Sequence, residues 1–162
     1  MEKDQKKTQN IRIALDNVRS AHNVGSIFRT AEGAGVEHLY LIGYTPAPTD
    51  RFGRAQPDIK KTALGAEEMV PWTHIETYDG FLEEMRSCDV YIVAVEQGSE
   101  ARSYVEVSKE KDVVFIFGNE VDGVSEELLR GSNEVVELPM YGKKESLNVS
   151  VATGIVLYQQ RL

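Results

Sequence analysis

Val113-Val-Phe-Ile-Phe-Gly-Asn-Glu-Val-Asp-Gly-Val-Ser125 opens with five apolar residues and then turns polar and glycine-bearing. An apolar run of this length with no alternation reads as a strand buried on both faces, as in a sheet covered by helices on each side. Core packing has no use for two glycines, an amide and two carboxylates in the next six residues. Beside a strand end, they mark a candidate site. Two further segments share this character, Asn17-Val-Arg-Ser-Ala-His-Asn-Val-Gly-Ser-Ile-Phe-Arg-Thr-Ala31 and Leu138-Pro-Met-Tyr-Gly-Lys-Lys-Glu-Ser-Leu-Asn-Val-Ser-Val-Ala152.

Outward from these segments, strand-like and helix-like stretches alternate. Residues 11–15, 38–42, 90–95 and 135–138 read as further strands. A helix capped by Ser20 or Asn23 is expected to run to about Gly33, and an amphipathic helix to cover 78–87. Ser125 is expected to cap a short helix with Glu126 and Glu127 in its first turn, where the dipole favours acids. A last helix is expected over 147–160. Residues 43–48 break the pattern, and 49–65, with weak periodicity, is expected to be a mobile loop. This alternation predicts one α/β domain over 1–162, a mostly parallel sheet with helices on both faces, and a flexible N-terminal tail over 1–9.

The last helix carries apolar residues on most sides. Leu147, Val151 and Ile155 mark one face, while Val149, Ala152, Val156, Leu157 and Tyr158 spread around the rest. A helix of this kind must be buried on most sides, so it is expected to pack on its own sheet and on a second copy of the chain.

The chain has 162 residues, enough to bury roughly two-thirds of its unfolded surface. Cys88 is the single cysteine, which excludes an internal disulfide and suits a reducing compartment. The polar start lacks the apolar core of a signal peptide, and no apolar run approaches the ~18 residues a membrane span needs. A cytoplasmic protein with no membrane partner is expected. Eighteen basic residues against twenty-six acidic ones leave a net charge of -8, poor for long-range attraction to a phosphate backbone. Arg51, Arg54, Lys60 and Lys61, with Lys143 in the third segment, read as a narrow basic strip on an acidic body, against the plainer reading of solvated loops.

Several familiar chemistries fall away. Gly33-Ala-Gly35 follows a helix and precedes a strand, the reverse of a dinucleotide fingerprint, and reads as a helix end and turn. Gly142-Lys143 lacks the first glycine and the Ser or Thr of a phosphate-binding loop. His22, His38 and His74 have no metal-ligand spacing, so no metal is expected. The pairs Glu67-Glu68 and Glu83-Glu84 read as solvated helix faces. Ser146 has no base adjacent in sequence, which argues against a nucleophile.

The three segments resemble, together and in order, the SpoU/TrmH family of SPOUT-class RNA 2′-O-ribose methyltransferases. The first matches the pattern Asn-x-Gly-x-x-x-Arg-Thr-Ala at Asn23, Gly25, Arg29, Thr30 and Ala31. The second matches Gly-Asn-Glu-x-x-Gly-[Leu/Val]-Ser at Gly118, Asn119, Glu120, Gly123 and Ser125. The third matches from Pro139 to Ala152 without a break. The matched region spans 17–158, nearly the whole chain. Val121-Asp122 departs from the family, which often has a glycine or other small residue there.

The resemblance implies a deep C-terminal trefoil knot, a homodimer formed through the last helix, and S-adenosylmethionine as cofactor. It implies tRNA or rRNA as substrate. The cofactor is expected against Val95, Glu96, Gly118, Asn119, Glu120, Gly123, Leu138, Met140, Ser146 and Leu147. Arg29 matches the family's catalytic arginine, with Asn23, Glu120, Ser146 and Asn148 in supporting roles. Arg29 is also expected to contact RNA, beside the basic strip.

The chemistry asks for a ribose hydroxyl to attack a methyl carbon on positive sulfur, a leaving group that becomes neutral and needs neither acid nor metal. A guanidinium is not a free base by itself, so Arg29 is expected to bind phosphate and stabilise an emerging alkoxide. The proton's acceptor stays open among phosphate, water and a perturbed arginine. Asn23 precedes Arg29 by close to two helical turns, which predicts that both border one pocket. A competing reading is an RNA-binding or assembly module that keeps the fold without catalysis. A signalling receiver domain is disfavoured, because only Asp16 follows the first strand where an acidic pair is required.

Overall fold

The computed structural model describes residues 8–162. Strands β1 (Ile11–Asp16), β2 (His38–Ile42), β3 (Trp72–Ile75), β4 (Tyr91–Val95), β5 (Arg102–Ser103), β6 (Val113–Phe117) and β7 (Glu134–Glu137) form one sheet. Their order is β3-β2-β1-β6-β4-β7-β5, and every named strand pair is parallel. Helices α1 (Ala21–Gly33), α2 (Pro57–Ala63), α3 (Tyr78–Ser87), α4 (Glu126–Gly131) and α5 (Val149–Arg161) cover both faces. The expected architecture, a parallel sheet between helical layers, is the one observed.

The opening apolar run is β6, buried at all five positions between β1 and β4. Strand side chains alternate between faces, so it contributes to two cores. Val113, Phe115 and Phe117 join Ile13, Leu15 and Leu41 beneath α1, α2 and α5, where Phe28, Ile59 and Leu157 meet them. Val114 and Ile116 join Ala14, Ile42 and Ile92 against Phe81, Leu82 and Met85 of α3 and Leu128 of α4.

The stretch 49–65 is not the loop expected. It contains α2, where Gln56 caps the start by accepting from the Asp58 N–H, Pro57 takes the first helical position, and Leu64 ends the helix in the left-handed region at φ 53°. Only Ile59 and Ala63 are buried. Seven residues with two inward positions are too few to display a helical period. The edge strands β3 and β5 were also not expected, being four and two residues long. At the other helix starts, the Ser20 hydroxyl accepts from Asn23 N–H at 3.2 Å, so Ser20 is the cap of α1 and Asn23 lies inside the helix. Asn148 caps α5, which therefore starts at Val149 and not at Leu147. Ser125 holds the cap position of α4, but its side chain makes no capping bond.

Of the expected N-terminal tail, residues 1–7 lie outside the described residues. Gln9 is held: its side-chain amide donates to the Ser108 and Lys111 carbonyls at 3.1 and 2.5 Å, and its oxygen accepts from Gln160 at 3.0 Å.

Candidate active site

Loops leaving the carboxyl ends of β4, β6 and β7 surround a cavity of about 550 Å³. Every residue expected to hold the cofactor lines it, from Val95 and Glu96 after β4 to Ser146 and Leu147 ahead of α5. Carboxyl edges of open α/β sheets are where ligands bind, because chain reversals there leave a crevice. Leu138, Met140 and Leu147 supply apolar wall, while Glu96, Glu120, Asp122 and Glu145 supply carboxylates.

The floor is the turn after β6. Asn119 and Gly123 exchange backbone hydrogen bonds at 3.1 and 2.9 Å, closing it into a narrow loop. A Cβ on Gly118 would run into the backbone of Gly123 and Val124, so the loop can close only over glycine. Gly123 has φ 70°, and a Cβ there would strike the Glu96 carboxylate. That carboxylate accepts from Val124 N–H at 2.7 Å and Gln97 N–H at 2.9 Å, tying the β4 and β6 loops together. The Asn119 side chain does the same toward the first segment. Its oxygen accepts from Val121 and Asp122 N–H, and its amide donates to the Asn17 carbonyl at 2.7 Å and the Tyr44 hydroxyl at 3.1 Å.

At the cavity's rim the three segments meet. Glu120 accepts from the backbone N–H of Arg19 at 3.2 Å and of Ser20 at 3.4 Å, and from the Asn23 amide at 3.5 Å. Asn148 in turn donates to the Asn23 side-chain oxygen at 3.3 Å while its own oxygen caps α5. Because Ser20 does the capping of α1, the Asn23 side chain is free to link Glu120 to Asn148. Burial alone would push the Glu120 carboxyl up, but the N–H groups of Glu120 itself, Arg19, Ser20 and Asn23 outweigh it and hold the group below its ordinary value. Ser146 lines the cavity, is exposed, and makes no hydrogen bond among the described residues.

Arg29 stands apart. It is exposed, has no ion pair or hydrogen bond among the described residues, and does not line the cavity. Six residues advance a helix by 600°, about 120° short of two full turns, so Asn23 and Arg29 do not face one pocket in this chain. Asn23, though not itself in the cavity wall, bonds Glu120 and Asn148, which are, while Arg29 projects elsewhere from α1.

The basic residues are dispersed. Lys60 and Lys61 are exposed on α2, and Lys143 is exposed on the loop after β7 without lining the cavity. Arg51 and Arg54 flank a separate cavity beyond β2 and β3. Arg54 is paired with Asp50 at 2.7 Å, so the strip is partly neutralised by an acid just ahead of it. Sequence reasoning missed Gln97, which lines the first cavity and donates to the Leu138 carbonyl at 2.7 Å. Its adjacency to Glu96 was the available signal. Among the described residues no His, Cys, Asp and Glu group is arranged to hold a metal, and no helix is long and apolar enough to cross a membrane.

Comparison with known proteins agrees with the three-segment pattern. A tRNA (guanosine(18)-2′-O)-methyltransferase of Aquifex aeolicus is 34% identical over 158 residues, covering 96% of this chain and 70% of the relative. A 23S rRNA (guanosine-2′-O-)-methyltransferase, RlmB, of Neisseria meningitidis is 30% identical, covering 92% of this chain and 57% of the relative. The chain thus spans little more than half the length of that second relative. The structure of an AdoMet-bound rRNA methyltransferase from Sinorhizobium meliloti superposes with a TM-score of 0.84 at 32% identity, over 96% of this chain and 57% of that one. The model of the SpoU rRNA Methylase family matches residues 10–158, and with these relatives it makes the chain a member of that family.

Proposed function

We propose that the chain transfers a methyl group from S-adenosylmethionine to a ribose 2′-hydroxyl of tRNA or rRNA, working as a homodimer. The observation that carries this reading is the link Asn148–Asn23–Glu120, which joins all three segments at the rim of one cavity. The cavity suits the cofactor. Its volume lies in the range of small-molecule sites, its apolar wall can take an adenosine, and its carboxylates favour a cation. S-adenosylmethionine, when bound, supplies an electrophilic methyl group on positively charged sulfur. Glu96 and Gly118 to Gly123 would hold it from the β4 and β6 loops, with Leu138, Met140 and Leu147 opposite.

The remaining work falls to the chain. A ribose hydroxyl is hardly ionised near neutral pH, so the site must stabilise negative charge on oxygen as it attacks. Arg29 would bind the neighbouring phosphate and that oxygen. Glu120, kept ionised by its N–H donors, would orient the guanidinium. Ser146 and Asn148 would bond the ribose, Ser146 through a hydroxyl that no neighbour among the described residues occupies.

Because Arg29 does not line its own chain's cavity, it would serve the partner's. Support for a partner comes from α5, whose inner side, including Val156 and Leu157, is buried. Val151 (50% exposed), Ile155 (38%), Tyr158 (53%) and Leu162 (90%) stand outward at spacings of four, three and four residues. Such spacing makes one apolar stripe along the helix. Packing that stripe against its copy would remove it from water. The order β1-β6-β4-β7, with β6 inserted between strands formed earlier in the chain, and the return of α5 onto α1, support the knot as part of the same reading. An exposed free thiol at Cys88 suits the reducing cytoplasm.

The test is to incubate the protein with labelled S-adenosylmethionine and RNA from cells lacking the gene, then map the labelled nucleotide. Label on a ribose 2′-oxygen is expected. Label on a base would contradict the reaction, and cofactor binding without transfer to any RNA would favour a binding module.

A further inference from the structure

The second cavity, about 680 Å³, lies between the segment that follows β2 and the face of β3; Trp72 in its wall also packs on the core beneath α1, α2 and α5, while Tyr44 is left exposed. Tyr44, Trp72 and His74 stand around it with Arg51 and Arg54. The loop that carries the arginines is built. Thr49 and Ala55 form an antiparallel bridge, and the Asp50 carboxylate accepts from the N–H of Phe52 at 2.8 Å and of Arg54 at 3.0 Å. This hairpin presents Phe52 to water at 67% exposure, with the Arg51 and Arg54 guanidinium groups 4.7 and 5.1 Å from its ring centroid. Asp50 is committed to Arg54, while Arg51 has no ion pair among the described residues.

Tyr44 connects this cavity with the first. It lines the second cavity, and its hydroxyl accepts from Asn119, which lines the first. The Arg19 guanidinium lies 6.0 Å from its ring, and the Arg19 N–H binds Glu120. Aromatic faces beside guanidinium groups, along one sheet edge leading to Glu120, match the chemistry of an unpaired nucleotide: a base to stack and a phosphate to bind. On a chain of net charge -8, such a cationic island favours a polyanion locally while the rest of the surface repels it.

We propose that this cavity and the hairpin beside it form a second nucleotide subsite, which takes an unpaired base of the RNA against Tyr44 of the cavity wall and Phe52 of the hairpin and its phosphate on Arg51 and Arg54, so that the strand runs along the sheet edge to Glu120. The proposal rests on the methyltransferase reading and adds to it where a neighbouring nucleotide is held.

The test uses the full chain and its Phe52→Ala, Arg51→Ala, Tyr44→Ala and Tyr44→Phe variants. It measures binding of labelled single-stranded RNA and of tRNA, cofactor binding, self-association, and methyl transfer. Phe52→Ala and Tyr44→Ala are expected to lose about tenfold or more in RNA affinity, as base stacking is worth. Tyr44→Phe, which keeps the ring, is expected to retain it. Arg51→Ala is expected to lower the slope of log affinity against log salt by about one. Cofactor affinity is expected to be unchanged in Phe52→Ala and Arg51→Ala, which separates the subsite from a folding defect. If the wild type transfers methyl groups and Phe52→Ala and Arg51→Ala bind RNA as it does, the subsite is overturned while the methyltransferase reading stands. A wild type that binds no RNA overturns both. Altered self-association with unchanged RNA affinity would make the cavity an interface between copies and also overturn the subsite.

Discussion

Glu120 shows how much one side chain's surroundings decide. Glu120 is exposed, yet its carboxylate accepts from Arg19, Ser20 and Asn23. Its folded pKa lies below the ordinary value, so the stabilisation it contributes is present above the unfolded carboxylate pKa and is lost as pH falls through the folded one. Across neutral pH it stays charged. The account therefore predicts that Glu120→Gln lowers kcat/KM by tenfold or more at neutral pH, and that the wild-type pH–rate profile shows no acid limb from this group above the ordinary carboxylate range, near pH ~4. Gly123 makes a second prediction. Gly123→Ala forces φ 70° on an L residue and drives a methyl into Glu96. It is expected to cost about 1–3 kcal/mol in urea unfolding and to weaken cofactor binding. At this scale the sequence was legible where a motif names a residue, as for Glu120 and Asn148. It was misleading where geometry must be added: six residues between Asn23 and Arg29 look like two turns, yet put the two side chains on different sides of α1.

Elements were legible in proportion to their length and burial. β6 and β1 announce themselves because both faces are covered, and α3 because Phe81, Leu82 and Met85 share one face. By contrast, α2 has two buried positions, and β3 is a short edge strand with a threonine and a histidine among its four residues. Tertiary packing, not local pattern, makes these form. Helix starts carried the same ambiguity, since Ser20 and Asn23 are both good caps and only one can serve. Asn148 has two duties, capping α5 and bonding Asn23. Asn148→Ala is expected to cost about 1 kcal/mol in unfolding free energy through the lost cap. It is expected to lower methyl transfer by a larger factor than that loss implies, through the freed Asn23. Equal effects on both would show that the cap is its only duty.

Across the whole molecule, composition pointed away from nucleic acid while the site pointed toward it. The net charge of -8 belongs to the whole chain, and of the cations proposed to meet RNA only Arg51 and Arg54 line the cavity beside β3. Strand order was not legible from alternation, which fits several doubly wound sheets equally well, because nothing local specifies that β6 should enter between β1 and β4. A dimer was expected from the apolar surplus on α5 and is part of the function proposed above. It makes a prediction at this scale: Arg29→Ala and Glu120→Gln chains, each impaired alone, should regain transfer when mixed and allowed to exchange, since one mixed dimer site would then hold an intact arginine and an intact carboxylate. Ile155→Asp should yield monomers by sedimentation and remove transfer. The most direct test of the central claim is methyl transfer to RNA by the wild type and by Arg29→Ala, with cofactor affinity measured on both. The account predicts unchanged cofactor binding and a loss of transfer by a hundredfold or more, the scale of removing one transition-state donor. Equal transfer by the two proteins would contradict it.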